Sequence, residues 1–252
     1  MLYPEHGFIE RFGAAAADGF RGVEFVSPYE YGAAEVAGAA RAAGIEIVLF
    51  NSPTGDWAKG ERGSACQPGR EDVFREGIET AIDYAQVMRC PRLHIMAGIV
   101  PDGVSAAAAE ACLVDNLRWA AARLAETGIA ALIEPINPVD MPGYGLNSLA
   151  QAERVLAAAG PENLWLQYDF YHMAMMGEAL VENFERLLPR IGHVQIADMP
   201  GRHEPGTGRL DYAGVFTAVE RSGYGGWIGA EYRPNAGTSQ GLGWMHALRK
   251  QP

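Results

Sequence analysis

Four successive apolar segments in the second half of the chain each end on a side chain that carries oxygen. The segments are ALIE, LWLQYD, HVQ and WIGAE, and they end on Glu134, Asp169, Gln195 and Glu231. Each interval between them is long enough for one helix and the return to a parallel strand. In a parallel β/α barrel the carboxyl ends of the strands surround one rim. We therefore expect these four side chains to converge at the mouth of a barrel.

The alternation of short apolar segments with helical patterns extends through the whole chain. It predicts seven strands, at 22–26, 45–50, 92–97, 130–134, 164–169, 193–197 and 227–231. Helices are predicted between them, including 33–43 and about 71–88, and a short helix near 240–250 is predicted to close the chain. Such a pattern indicates an α/β fold with a parallel sheet covered on both faces, and a length of 252 residues suits one (β/α)₈ TIM barrel. We predict a single domain over 1–252. The alternative is an open, doubly wound sheet.

The predicted barrel lacks its first strand. The chain opens directly in a helical pattern at about 5–18, whereas a closed barrel of this class has eight strands. The sequence leaves two explanations open. Either the natural chain begins upstream of Met1, or the barrel has a gap between the strands at 22–26 and 227–231.

Composition excludes several classes of partner. The formal net charge is −11, which argues against nucleic acid and against an anionic membrane surface. No apolar run of 18 residues is present, and no signal peptide pattern opens the chain. Three cysteines without a CxxC pair indicate reduced thiols and a cytoplasmic protein. The expected partner is a small anionic substrate, and a homo-oligomer remains open.

The four oxygen-bearing side chains predict a metal site. Three carboxylates brought together repel one another unless a cation lies among them. An all-oxygen ligand set suits a hard divalent ion such as Mg²⁺ or Mn²⁺ better than zinc. One strand-end acid alone can be merely exposed, and Gln195 alone can be a hydrogen-bonded core residue. Four strand ends in a row favour a site.

Candidate substrate-binding residues follow two of the predicted strands and one long loop. His172 comes just after Asp169 in the DFYH segment, which is predicted to be a turn, and there it can donate to a substrate oxygen. Arg202 lies in the loop DMPGRHEPGTG, and its planar fork suits a carboxylate. The loop 51–70 contains Lys59 and Arg62 and has the composition of a lid. The alternative for this loop is a solvated segment without function.

Several motifs together resemble those of the hydroxypyruvate isomerase family, within the xylose isomerase-like TIM barrel superfamily. They are IEPIN, QYDFYHM, HVQIAD, EPGTG and GAEYRP, joined in the first third by GFRGVEF, PTGDWAKGERG and PGRE. The resemblance implies divalent metal binding at Glu134, Asp169, Gln195 and Glu231. It also implies that Glu134 and Glu231 form the acid/base pair. The related ketose epimerases have a histidine where Gln195 stands, which favours the isomerase branch.

The activity that this resemblance implies is an aldose–ketose type isomerisation. Hydroxypyruvate and tartronate semialdehyde would interconvert through an enediolate, with metal-assisted proton transfer. A four-carbon 2-oxo-tetronate isomerase and a ketose 3-epimerase share this chemistry and stay as alternatives. A metal-dependent endonuclease would need a basic groove and additional histidine ligands. A non-catalytic sugar-acid binding protein is a further alternative, which metal-dependent turnover would exclude.

Overall fold

The computed structural model describes residues 1–160 and 162–248. Seven parallel strands follow one another in sequence order around a nearly closed barrel. Their bounds are β1 Gly22–Phe25, β2 Glu46–Asn51, β3 Arg92–His94, β4 Ala130–Ile133, β5 Leu164–Asp169, β6 Ile191–Ile196 and β7 Ile228–Ala230. All seven predicted strands are confirmed, although β3 is shorter than its prediction. The open, doubly wound sheet is wrong, since such a sheet reverses its strand order at a switch point.

Helices cover the outer face of the barrel. They are α1 Glu10–Ala17, α2 Ala33–Ala43, α3 Glu71–Met88, α4 Ala106–Ala125, α5 Leu149–Ala159, α6 Phe170–Met175, α7 Leu180–Leu187, α8 Tyr212–Arg221 and α9 Gly243–Leu248. Helix α2 ends where Gly44 adopts a left-handed conformation, with φ of 66°. The carboxylate of Asp169 caps α6 by accepting from the N–H of Tyr171. The sequence pattern had indicated a turn there. The closing helix predicted near 240–250 corresponds to α9, and its last two positions lie outside the described residues.

The core has one layer between the helices and the sheet and another inside the barrel. In α3 the buried positions Phe74, Ile78 and Ile82 recur every four residues, which places one apolar stripe against the sheet. Inside the barrel, Leu132 and Trp165 pack in a separate cluster with residues of β2 and with Trp227, which precedes β7. Side chains alternate along β5, so Trp165, Gln167 and Asp169 share the inner face. The apolar cluster therefore supports polar side chains above it, towards the mouth.

The barrel is open along one seam. Within the described residues β1 pairs with β2 alone and β7 with β6 alone, so no ladder joins β1 to β7. A cavity of 140 Å³ fills this seam, and its wall includes Glu24, Gln195 and Trp227. Residues 1–3 also line it. The predicted gap between 22–26 and 227–231 is confirmed.

Two further features bear on the expectations from composition. Within the described residues, none of the helices is both long enough and apolar enough to traverse a lipid bilayer. The three cysteines, Cys66, Cys90 and Cys112, are free thiols.

Candidate active site

The carboxyl ends of β4, β5 and β7 bring three predicted carboxylates to the barrel mouth. Glu134 follows β4, Asp169 ends β5, and Glu231 follows β7. Gln195, in β6, stands beside Asp169 in the sheet register. Glu134 and Asp169 are fully enclosed, whereas the Glu231 side chain keeps 20% of its surface exposed. Because β4 and β7 lie three strands apart in a seven-stranded barrel, Glu134 and Glu231 face each other across the mouth.

Arg202 enters this group of carboxylates from the loop after β6. Its Nη2 donates to Glu231 Oε2 at 2.6 Å and to Asp169 Oδ2 at 3.3 Å, and its Nε donates to the carbonyl oxygen of Glu231. The guanidinium also lies over the ring of Tyr171, 5.0 Å from its centroid. A cation so enclosed is costly unless it is paired. The carboxylates around it therefore define its position.

A buried aspartate shapes the loop that carries Arg202. Asp198 is completely enclosed, and its carboxylate accepts from four backbone N–H groups of the following residues, those of Met199, Gly206, Gly208 and Leu210. Each hydrogen bond to a charged group is worth about 1.5–3 kcal/mol. The carboxylate thereby folds the loop back towards the mouth. The motif HVQIAD contained Asp198, but nothing in the sequence spacing assigned it this task.

Burial and mutual repulsion shift the acidic groups towards their protonated forms. Burial raises the pKa of Glu134 well above its usual value, and the charges of Asp169 and Glu231 raise it further. Burial also raises the pKa of Asp169 to about 7, although the Arg202 guanidinium opposes this shift. The three carboxyl groups thus need more positive charge than Arg202 alone provides if all are to ionise.

His172 is held as a hydrogen-bond donor towards the carboxylates. The Oδ1 of Asn137 accepts from the N–H groups of Val139 and Asp140, so its amide nitrogen faces His172 Nδ1, at 2.7 Å. Nδ1 is therefore the acceptor, and the proton lies on Nε2. Burial holds the pKa of His172 well below its usual value, so the ring is neutral. Asn137 was not singled out from the sequence, although it ends the IEPIN motif.

The donor set fits a hard divalent cation. Ligand atoms of Glu134, Asp169 and His172 lie within 4.8 Å of one another. Glu134 Oε1 is buried and has no hydrogen-bond partner within the described residues, so it is an oxygen available to a cation. The Nε2 of His172 carries a proton and is not a free ligand. The remaining donors are oxygens, which favour Mg²⁺ or Mn²⁺.

Gln195 belongs to a hydrogen-bonded chain inside the barrel. Its Oε1 accepts from Gln167 Nε2 at 2.6 Å, and its Nε2 donates to Glu24 Oε1 at 2.8 Å. The other oxygen of Glu24 pairs with His193 Nε2. Burial opposes the ionisation of Glu24, but His193 and the two hydrogen bonds outweigh it and lower its pKa. Glu24 lies in the GFRGVEF motif, and no sequence pattern places it near Gln195.

The predicted lid cations make their described contacts within their own loop. Lys59 is 81% exposed and pairs with Asp56 at 2.9 Å. Arg62 stacks on Trp57, with its guanidinium carbon 3.5 Å from the ring centroid, and donates to two backbone carbonyls. Asp56 caps the short 3₁₀ turn Trp57–Lys59. A substrate-binding role for Lys59 and Arg62 stays a prediction.

Without divalent metal, we expect the contribution of Asp169 to the free energy of unfolding to fall by about 1 kcal/mol as the pH rises from about 6.5 to about 8. Its pKa is about 7 in the folded protein, above the ordinary 3.8. The folded state therefore holds a proton that the unfolded state has released. The stabilisation from this proton is complete below the pKa that Asp169 has in the unfolded chain. It is lost as the pH rises through the pKa that Asp169 has in the folded protein. The lowered pKa of His172 has the opposite effect on the free energy of unfolding, but only below the ordinary pKa of histidine. The interval therefore begins at about pH 6.5.

Urea denaturation in the presence of a chelator measures this dependence. The Asp169→Asn variant is the matched control, since it keeps the side-chain shape and cannot titrate. We expect the variant to lose less stability over the same interval. Equal pH dependence in both proteins would show that Asp169 does not carry the effect.

Comparison with known proteins identifies relatives over nearly the whole chain. Residues 12–248 match the model of the family described as xylose isomerase-like TIM barrel. A 2-oxo-tetronate isomerase of Cupriavidus necator is 48% identical over 245 residues, which are 97% of this chain and 94% of that protein. The hydroxypyruvate isomerase of Escherichia coli is 45% identical over 249 residues, covering 99% of this chain and 96% of that protein.

A solved structure from Brucella melitensis resembles this one closely. It superposes with a TM-score of 0.94 at 41% identity and covers 98% of this chain and 95% of its own. That protein is described as an AP endonuclease of family 2. The similar proteins are thus named in two ways, as isomerases and as an AP endonuclease.

Proposed function

The chain belongs to the xylose isomerase-like TIM barrel family, and from this premise we propose that it is an isomerase that interconverts hydroxypyruvate and tartronate semialdehyde. Relatives at 45% and 48% identity are named isomerases of small hydroxy-oxo acids. The observation that carries the proposal is the arrangement of carboxylates, Arg202 and His172 at the barrel mouth. Glu231 holds Arg202 at 2.6 Å, and the Nε2 of His172 lies 3.9 Å from Glu134 Oε1 and 3.6 Å from Asp169 Oδ2.

The reaction moves one carbon-bound proton and one oxygen-bound proton. A glutamate, Glu134 or Glu231, removes a proton from the hydroxymethyl carbon of hydroxypyruvate, and an enediolate forms. Protonation at the neighbouring carbon, with transfer of the hydroxyl proton from the terminal oxygen to the former carbonyl oxygen, gives tartronate semialdehyde. The two glutamates flank the substrate, so one can act as base and the other as acid.

The other groups at the mouth hold the substrate in place. His172 donates its Nε2–H to a central oxygen, because Asn137 fixes that tautomer. Arg202 pairs with the carboxylate that every substrate of this class carries. A divalent cation held by Glu134, Asp169, Gln195 and Glu231 would supply Lewis acidity at the carbonyl and hydroxyl oxygens. Mg²⁺ and Mn²⁺ are the proposed ions.

The second candidate is a 2-oxo-tetronate isomerase. The Cupriavidus necator relative with that name is 48% identical to this chain, so it is at least as similar as the hydroxypyruvate isomerase. The chemistry at the first three carbons is the same, and the substrate is one hydroxymethylene group longer. One methylene-sized difference changes kcat/KM by about 10–200-fold in a fitted pocket. A comparison of the two substrates therefore ranks the candidates.

Proton exchange in D₂O tests the proposed function. The protein is incubated with hydroxypyruvate and Mn²⁺ or Mg²⁺, and a parallel sample contains a chelator. We expect NMR to show deuterium on the carbon next to the carbonyl, tartronate semialdehyde as product, and little of either with the chelator. Absence of exchange with both hydroxypyruvate and 2-oxo-tetronate would contradict the isomerase proposal. Cleavage of abasic DNA would support the endonuclease name instead.

Replacing Arg202 with alanine is expected to raise KM for hydroxypyruvate by about 10-fold or more, from the loss of one charge-assisted hydrogen bond. Arg202→Lys is the matched control, because it keeps the charge but loses the planar fork. Residue 202 has φ of 57°, and all three side chains carry a Cβ, so backbone strain does not differ between them. Steady-state kinetics measures the effect. An unchanged KM would direct attention to Lys59 and Arg62.

A further inference from the structure

Glu24 is a buried carboxylate that the proposed reaction does not use. It points from β1 into the barrel interior, where one oxygen meets His193 Nε2 and the other accepts from Gln195 Nε2 at 2.8 Å. It also lines the cavity at the open seam, and its side chain is only 14% exposed. A charge in this position lacks bulk water, so its partners fix its geometry.

Glu24 decides which way the amide of Gln195 faces. A carboxylate only accepts hydrogen bonds, so the NH₂ of Gln195 must be the group that faces it. The oxygen of Gln195 then points to β5, where it accepts from Gln167 Nε2 at 2.6 Å. Asp169 is the neighbour of Gln195 on that strand. The amide oxygen is therefore directed to the side of the barrel that carries the carboxylates.

Gly229 provides the space for this arrangement. A Cβ at position 229 would overlap the carboxylate of Glu24, and the three nearest atoms all belong to that group. Gly229 lies in β7, on the far side of the seam from β1. The Glu24 side chain thus crosses the seam and rests on a strand to which β1 is not hydrogen-bonded.

We propose that Glu24 is a positioning residue: held by His193 and seated over Gly229, it locks the Gln195 amide so that its oxygen is presented as a metal ligand. The metal part of this inference rests on the proposed function. The orientation part does not, because it depends only on hydrogen bonds between side chains of this chain. Partners that orient metal ligands typically change affinity by about 10–100-fold when removed.

Gly229→Ala is the variant of choice for the test. It displaces the Glu24 carboxylate without changing any charge, and the displaced group is the end of a flexible side chain, so the backbone is not forced to move. Gly225→Ala is the matched control, since a Cβ there meets nothing within 4 Å. Glu24→Gln is the second variant. The double variant Glu24→Gln with Gln195→Glu exchanges donor and acceptor and restores the hydrogen bond.

The first measurement follows the side-chain amide of Gln195 by NMR in the metal-free protein. We expect its two NH₂ protons to exchange slowly with solvent in the wild type and in Gly225→Ala. In Gly229→Ala and Glu24→Gln the exchange should be faster by about 10-fold or more, because the acceptor has moved or lost its charge. Unchanged exchange in both variants overturns the orientation part, whatever the metal does.

The second measurement is the Kd for Mn²⁺, obtained from the EPR signal of the free ion well below the melting temperature. Gly229→Ala and Glu24→Gln should bind Mn²⁺ about 10–100-fold more weakly, and the double variant should recover most of the loss. A purely structural role would lower the melting temperature and leave this Kd unchanged, and that result overturns the ligand part. If the wild type itself binds no Mn²⁺, the metal site fails, while the NMR result still decides the orientation.

Discussion

Turnover is expected to fall by at least about 100-fold when either Glu134 or Glu231 is replaced by glutamine. Glutamine preserves the size of the side chain but neither accepts nor releases a proton at neutral pH. The two groups stand on opposite sides of the barrel mouth, so neither can take over from the other. Because both are also proposed metal ligands, kcat must be measured at saturating Mn²⁺.

The two variants are expected to differ in a second property. Glu231 holds Arg202 at 2.6 Å, so its replacement also loosens the guanidinium and should raise KM. Within the described residues, Arg202 forms ion pairs with Asp140, Asp169 and Glu231 but not with Glu134. Replacing Glu134 should therefore affect kcat more than KM. Glu79→Gln, on the outer surface of α3, serves as a matched carboxylate-to-amide control. Near-normal turnover of either site variant at saturating Mn²⁺ would remove that glutamate from the mechanism.

Filling the seam should give the largest gain in stability. Residues 1–3 line the cavity between β1 and β7, so a designed apolar strand joined ahead of Met1 can enter the gap. Pairing it with β1 and β7 satisfies exposed backbone groups and buries apolar side chains. A gain of about 1–2 kcal/mol raises the melting temperature by about 2–8 °C in a domain of this size.

The control for this experiment is an extension of equal length made of glycine and serine. It has the same reach but buries no apolar surface. Calorimetry compares the two, and hydrogen exchange of the β1 and β7 amides locates the change. Equal melting temperatures, or equal exchange in both strands, would show that the seam does not accept a strand.

The order of the helices and strands could be predicted from local sequence patterns. The bounds of α2 and α3 agree with those read from the apolar period, because both helices have clear apolar faces and α2 ends at a glycine. The seven strands could also be predicted, because the strands of a parallel sheet are short apolar runs. The count of seven strands also indicated that the first strand is missing, but it left open whether the barrel has a gap. These features depend on residues close together along the chain.

How side chains from distant segments meet could not be predicted in this way and is seen in the folded chain. The sequence indicated Arg202 as a cation for the substrate, but folding places it against Asp169 and Glu231, where enclosed charges need partners. It gave no reason to connect Glu24 with Gln195, which are separated by 171 positions and joined by one hydrogen bond. A periodic pattern shows which face of an element is buried. Which groups share that buried space depends on packing between elements, and the low dielectric there makes each polar contact matter.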